Sequence, residues 1–229
     1  MDEEYGERWP ICPFSSPFCE GYGTVGPHGH PEWPIWVISG LGSVLDVLVP
    51  LPGDDVLPHA DPVLDRHVDL DAPAELVWPW VEQLGKGRAG WYLPRPVERF
   101  VPRARRAVRR VEDRWLHLAP GDSVADWGPG DPTFEVLEID RPHHLVYWSE
   151  RPRRPRRGLP RPPMRMTWAL VLSPVAPQRS HLHLRLRLDL GRPAGPVATY
   201  GGDAVDWLTV WLLGRGLAER LADQFDAQL

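Results

Sequence analysis

The chain has almost no lysine: Lys86 stands alone against 25 arginines. It also has only two cysteines, Cys12 and Cys19, in 229 residues. Two cysteines exclude a disulfide scaffold; they read as reduced thiols of a cytosolic protein, with a single short-loop bridge as the alternative. No clean apolar run reaches the ~20 residues that a membrane span needs. The nearest candidate, Trp33 to Pro52, is interrupted by Asp46, Pro34 and Pro50, and reads as a buried or docking helix. The opening MDEEYGERW is acidic and lacks a basic region followed by an apolar one, so no signal peptide is expected. Net positive charge is missing too. A formal charge of −5 argues against a dedicated nucleic-acid binder. There is no strand-linked glycine fingerprint or phosphate loop, and no nucleophile elbow. Neither a nucleotide cofactor nor Ser/His/Asp catalysis is expected.

What the chain does have is tryptophan and proline, 12 and 28 residues respectively. Tryptophan suits both cores and the walls of ligand cavities. The hydrophobic fraction of 42% and charged fraction of 25% are those of a folded globular protein. Charge is unevenly spread. Residues 1–60 hold nine acids and one base, Arg8, whereas the remaining 169 residues hold 25 bases and 22 acids. Residues 1–60 therefore read as an acidic N-terminal strap, rich in Pro, Gly and aromatics, with a short apolar helix at 35–49. Residues 61–229 read as the main domain.

From Pro62 onward the periodicity sharpens. Residues 66–71 alternate as a strand. Asp71-Ala72-Pro73-Ala74-Glu75 is a helix start, and that helix runs to Gly85 with Pro79 inside it. A glycine-rich loop follows to Tyr92, and then an arginine-decorated helical stretch over 97–111. Strands are expected at 122–127, 133–140, 144–150, 164–172 and 180–190. The last is the clearest. Leu182, Leu184, Leu186, Leu188 and Leu190 share one face, and His181, His183, Arg185, Arg187 and Asp189 share the other, which reads as solvated. A long helix over 203–227 ends the chain, with Trp207, Val210, Gly214, Leu217, Leu221 and Phe225 as one stripe. Its first half is apolar nearly all round. A cover is expected there, either the 35–49 segment or a homodimer contact.

Leu51-Pro52-Gly53-Asp54-Asp55, the run from Asp71 to Gly85, and Gly87-Arg88-Ala89-Gly90-Trp91-Tyr92 resemble a bacterial branch of the SRPBCC superfamily. That superfamily includes START-like and polyketide cyclase/dehydrase-like proteins. The resemblance covers about residues 51–227, and departs from the branch at Leu93-Pro94-Arg95-Pro96-Val97-Glu98. It implies an α+β helix-grip fold, in which a curved antiparallel sheet wraps a long C-terminal helix around a cavity. It implies an apolar ligand, and a cyclase- or dehydratase-like enzyme of natural-product biosynthesis, with a non-catalytic carrier or sensor of a lipid-like ligand as the alternative.

A cavity of that kind needs apolar walls and a few polar groups. The wall candidates are Trp80, Trp91, Met166, Trp168, Leu184, Leu186, Trp207, Val210 and Trp211. The acid–base and oxyanion candidates are Asp126, Glu135, Tyr147, Arg88 and Tyr92. No metal is expected. His181-x-His183 has no third ligand, and Cys12, Cys19, His28 and His30 have spacings unlike those of structural zinc sites. Two arginine-rich runs, 103–114 and 151–161, read as solvated surface, or as docking surface for an acidic partner such as an acyl carrier protein, for an anionic membrane surface, or for this chain's own acidic N-terminus.

Overall fold

The 11 residues Arg179–Asp189 form the strand on which the rest is assembled, because their leucines bury one face. The computed structural model describes residues 49–127, 130–155, 158, 160–191 and 196–227, without the side chains of 196–200. Six strands make one curved antiparallel sheet: β1 (Val63–Leu70), β2 (Ser123–Ala125), β3 (Thr133–Asp140), β4 (His144–Arg151), β5 (Met164–Ala176) and β6 (Arg179–Asp189). Their spatial order is β1-β6-β5-β4-β3-β2. Helix α1 (Ala74–Gln83), the short α2 (Arg95–Glu98) and the long α3 (Pro196–Asp226) complete the set. This is an α+β arrangement with the architecture that the helix-grip resemblance implies.

The register decides what faces α3. Val68 pairs with Leu182, Leu170 with Leu184, and Tyr147 with Trp168, so these side chains share the inner face. Val210, Leu213, Leu217 and Leu221 of α3 are buried against it. Trp80 Nε1 donates to Gln224 Oε1 at 2.9 Å and ties α1 to α3. At Gly216 a Cβ would lie 2.5 Å from the Tyr92 carbonyl carbon, so glycine is what lets α3 meet that backbone.

Two expectations need correction. The outer face of β6 is not solvated: Arg185 and Arg187 are buried there. Arg185 donates to Asp65 Oδ1 at 2.7 Å, to Asp54 Oδ2 at 2.7 Å and to the Val49 carbonyl at 2.8 Å. Arg187 reaches Asp54 and the Leu57 carbonyl. Residues 49–58 thus lie across this face, and their acids make burial of the arginines tolerable. A polar alternation does not reveal this, because paired charges have the same pattern as wet ones.

The second correction concerns residues 97–111, which are not a helix. Only α2 and a 3₁₀ turn at Arg103–Arg105 form, and Pro102 separates them. The segment is held to α3 by ion pairs instead. Arg220 meets Glu98 at 2.9 Å, and Arg109 reaches Glu98, Glu219 and Asp223.

Helix α3 begins at Pro196, ahead of the expected 203. Val205 and Leu208 on its outer side are exposed. The cover expected from residues 35–49 lies outside the described residues except for Val49, as do Cys12, Cys19, His28 and His30. Among the described residues no helix is long and apolar enough to cross a membrane.

Candidate ligand pocket

The inner face of the β2–β5 end of the sheet is aromatic. Phe134, Tyr147 and Trp168 come from adjacent strands, and Trp91 closes over them from the glycine-rich loop. Trp91 stacks on Trp168 at 6.1 Å and Tyr147 on Trp168 at 5.9 Å, while Trp127 meets Trp91 edge-on at 5.8 Å. Trp91 Nε1 donates to the Thr209 carbonyl of α3 at 3.2 Å, which fixes the ring over the sheet. The space enclosed is about 30 Å³, and Asp126 stands at its rim. That is room for about one water. Trp127, on the outside, is 45% exposed.

Two buried polar atoms on this side of the core make no hydrogen bond: the Tyr147 hydroxyl and Arg88 Nε. An unpaired buried group of this kind costs about 1–3 kcal/mol. Burial pushes the Tyr147 phenol well above its ordinary range, against the pull of the Arg88 guanidinium. It is therefore neutral, and its proton is free to be donated. Burial likewise lowers the Arg88 pKa, opposed first by Tyr147. Arg88 Nη2 is held by the carbonyls of Glu82 and Trp115.

The remaining candidates fall out differently. Tyr92 donates to the Trp80 carbonyl at 2.9 Å and accepts from Gln83 at 3.1 Å, so its hydroxyl braces α1. Burial pushes its phenol up as well. Asp126 is ion-paired with Arg151, whose Nε also donates to Ser149 Oγ at 3.1 Å. Glu135 pairs across from Trp148 on the outer face and is exposed. Of the wall candidates, Trp91 and Trp168 line the pocket. Trp80, Met166, Leu184 and Val210 are buried in the core, and Leu186 is packed against it. Trp207 and Trp211 stack on each other at 6.3 Å, with Arg215 over Trp211. Phe134 and Trp127 were not among the expected liners. Phe134 carried a signal in its alternation with Val136, whereas Trp127 follows the last residue of β2 by two positions and carried none.

A larger, open groove of about 610 Å³ runs past Trp78, Leu116 and Arg141 to Glu82. It has less to offer chemically. Both Glu82 oxygens are already occupied, by Trp78 Nε1, the Leu118 amide and Arg141. On the outer face, His181 and His183 bond Asp69 at 2.7 Å and Asp65 at 2.5 Å. Among the described residues no group of three His, Cys, Asp or Glu side chains is placed to hold a metal ion.

At the other end of the inner face, Arg66 of β1 is buried against Asp203 and Asp206 of α3, with its Nε 2.9 Å from Asp206. Burial raises the Asp206 carboxyl from 3.8 to about 6, with Arg66 opposing and Asp203 adding to the rise. A raised folded-state pKa means that this group's stabilising contribution is full below 3.8 and is lost as pH rises through about 6. The melting-temperature difference between Asp206→Asn and wild type is therefore expected to climb in the variant's favour from pH 4 to pH 7. A flat difference would show that Asp206 ionises as an ordinary carboxyl.

No family model and no curated protein matches the chain. Solved structures similar to it include protein MLL2253 from Mesorhizobium loti, at 16% identity and a TM-score of 0.42, covering 69% of this chain and 97% of that one. A Thermobifida fusca protein has 19% identity and a TM-score of 0.43, covering 70% and 93%. DynU16, a protein of the dynemicin biosynthetic locus, has 19% identity and a TM-score of 0.41, covering 71% of this chain and 48% of its own.

Proposed function

We propose that the protein binds an apolar, ring-containing or conjugated small molecule in the aromatic pocket and promotes its cyclisation or dehydration. The observation that carries this reading is Tyr147, which lines the pocket with Trp91, Phe134 and Trp168 and whose buried hydroxyl makes no hydrogen bond. A ligand carbonyl or hydroxyl accepting from Tyr147 supplies the missing partner, with the Arg88 cation close enough to steady negative charge as it develops on that oxygen. Asp126 at the rim is the proton acceptor, and Arg151 orients it. Entry requires Trp127 to swing outward and Trp91 to leave the Thr209 carbonyl, since the pocket holds only about 30 Å³.

The pairing of Asp126 with Arg151 also favours a second reading, a non-catalytic carrier, because it occupies the carboxylate that the enzyme reading uses as proton acceptor. Native mass spectrometry of gently purified wild type and Asp126→Asn separates the two. An enzyme that dehydrates is expected to leave Asp126→Asn holding an adduct one water heavier than any on wild type. A carrier is expected to show one and the same adduct in both, lost on denaturation. Bare masses in both proteins would overturn tight binding by either route.

A further inference from the structure

Between α2 and Ala107, residues 99–106 make a knuckle whose chemistry the pocket does not use. All the carboxylates beneath it are already matched. Glu98, Glu219 and Asp223 are shared among Arg95, Arg109 and Arg220. Further along, Arg110 and Arg114 share Glu112. What faces outward is one sign of charge. Arg99, Arg103, Arg105 and Arg106 are exposed, and no carboxylate lies within ion-pair distance of them among the described residues. In their midst Phe100 is 77% exposed, the most exposed large apolar side chain described, with the Arg99 guanidinium 4.7 Å from its ring centre.

The knuckle has a built shape. Arg106 spans its base, donating to the Val101 carbonyl at 2.9 Å and the Arg99 carbonyl at 3.1 Å. The Arg105 amide closes a turn on the Pro102 carbonyl at 2.8 Å. The whole is clamped to α3 through Arg220 and Arg109. A built loop therefore presents an aromatic ring inside a collar of cations that no carboxylate among the described residues pairs.

We propose that this knuckle docks the protein on an anionic lipid surface, with Phe100 entering the headgroup–acyl boundary and Arg99, Arg103 and Arg105 pairing with lipid phosphates and carboxylates. An aromatic ring settles at that depth, and each nearby arginine adds to the attraction. The form of the surface favours a membrane over an acidic protein. A protein partner is bound through a broad patch with its anchors seated in pockets, whereas here one ring projects from a narrow loop. The proposal stands apart from the pocket and does not rest on what the pocket binds.

The test is co-sedimentation of the full chain with vesicles of phosphatidylcholine, with and without phosphatidylserine. Wild type is expected to bind only the phosphatidylserine vesicles and to come off as salt is raised. The Arg99→Gln/Arg103→Gln/Arg105→Gln variant is expected to partition about 100-fold less, at about fivefold per arginine. Phe100→Ser is expected to lose about tenfold. Arg165→Gln, at an exposed site paired with Glu150, is the control and should bind as wild type does. All of these changes are at exposed positions, and unaltered melting temperatures verify folding. Wild type that ignores phosphatidylserine vesicles overturns the proposal, as does a triple variant that binds undiminished. Binding to an acidic carrier protein without vesicle binding overturns it in favour of a protein partner.

Discussion

Tyr147→Phe is expected to make the free protein more stable and the ligand-bound protein weaker. Tyr147 lines the pocket and its hydroxyl is buried with no hydrogen-bond partner, and such a group costs about 1–3 kcal/mol. Phenylalanine removes the cost and keeps the ring on Trp168. A gain of about 1 kcal/mol raises the melting temperature by about 2–4 °C in a chain of this size. On the proposed reading the same change deletes the donor that meets a ligand oxygen, and affinity for an oxygen-bearing ligand is expected to fall about tenfold, the equivalent of one hydrogen bond. The opposite signs are the diagnostic feature, because functional sites are where stability is given up. Thermal melts and ligand titrations of the two proteins check both halves. A tyrosine with a purely structural role would give a loss of stability and no change in binding.

Arg220→Met is expected to cost about 3–5 kcal/mol, the usual penalty for leaving one member of a buried ion pair alone. Arg220 is fully buried in α3. It donates to Glu98, to the Gly216 and Val108 carbonyls and, at 3.1 Å, to the Leu93 carbonyl, and its guanidinium lies 4.8 Å from the Tyr92 ring centre. Methionine fills the space of the stem but leaves Glu98 to Arg109 alone and orphans the carbonyls. Because Glu98 is left with Arg109 as its single partner, Arg220→Met/Glu98→Leu is expected to recover a part of the cost. Urea unfolding midpoints measure both. A single variant within about 1 kcal/mol of wild type would mean that the loop over 93–109 is held to α3 by apolar packing instead.

The readability of this chain followed the kind of force at work. Elements that bury an apolar face are plain in the sequence: β6 with its alternating leucines, α1 with its buried Val77, Trp80 and Val81, and the Val210–Leu221 stripe of α3, although α1 is capped by Pro73 without a side-chain bond and not by the expected Asp71. Segments held by charge were misread. The arginines of 97–111 have helical spacing, but Pro102 and the pull of Glu98, Glu219 and Asp223 settle the loop differently. The arginines of β6 look solvated until Asp54 and Asp65 are placed beside them. The site shows the same division. Trp91, Trp168, Asp126, Arg88 and Tyr147 were selected by residue type, yet only the strand register shows that Tyr147 and Glu135, 12 positions apart, sit on opposite faces of the sheet. Only the three-dimensional arrangement shows that Tyr92 is saturated while Tyr147 is not.

The most direct test of the central claim is calorimetric titration of the full chain with two ligands of nearly equal shape, 2-acetylnaphthalene and 2-isopropylnaphthalene. With the Tyr147 hydroxyl as the donor, the ketone is expected to bind wild type about tenfold more tightly than the hydrocarbon, and the advantage is expected to vanish in Tyr147→Phe. Equal binding of the two by wild type, a ketone preference that survives in Tyr147→Phe, or no binding of either would contradict it.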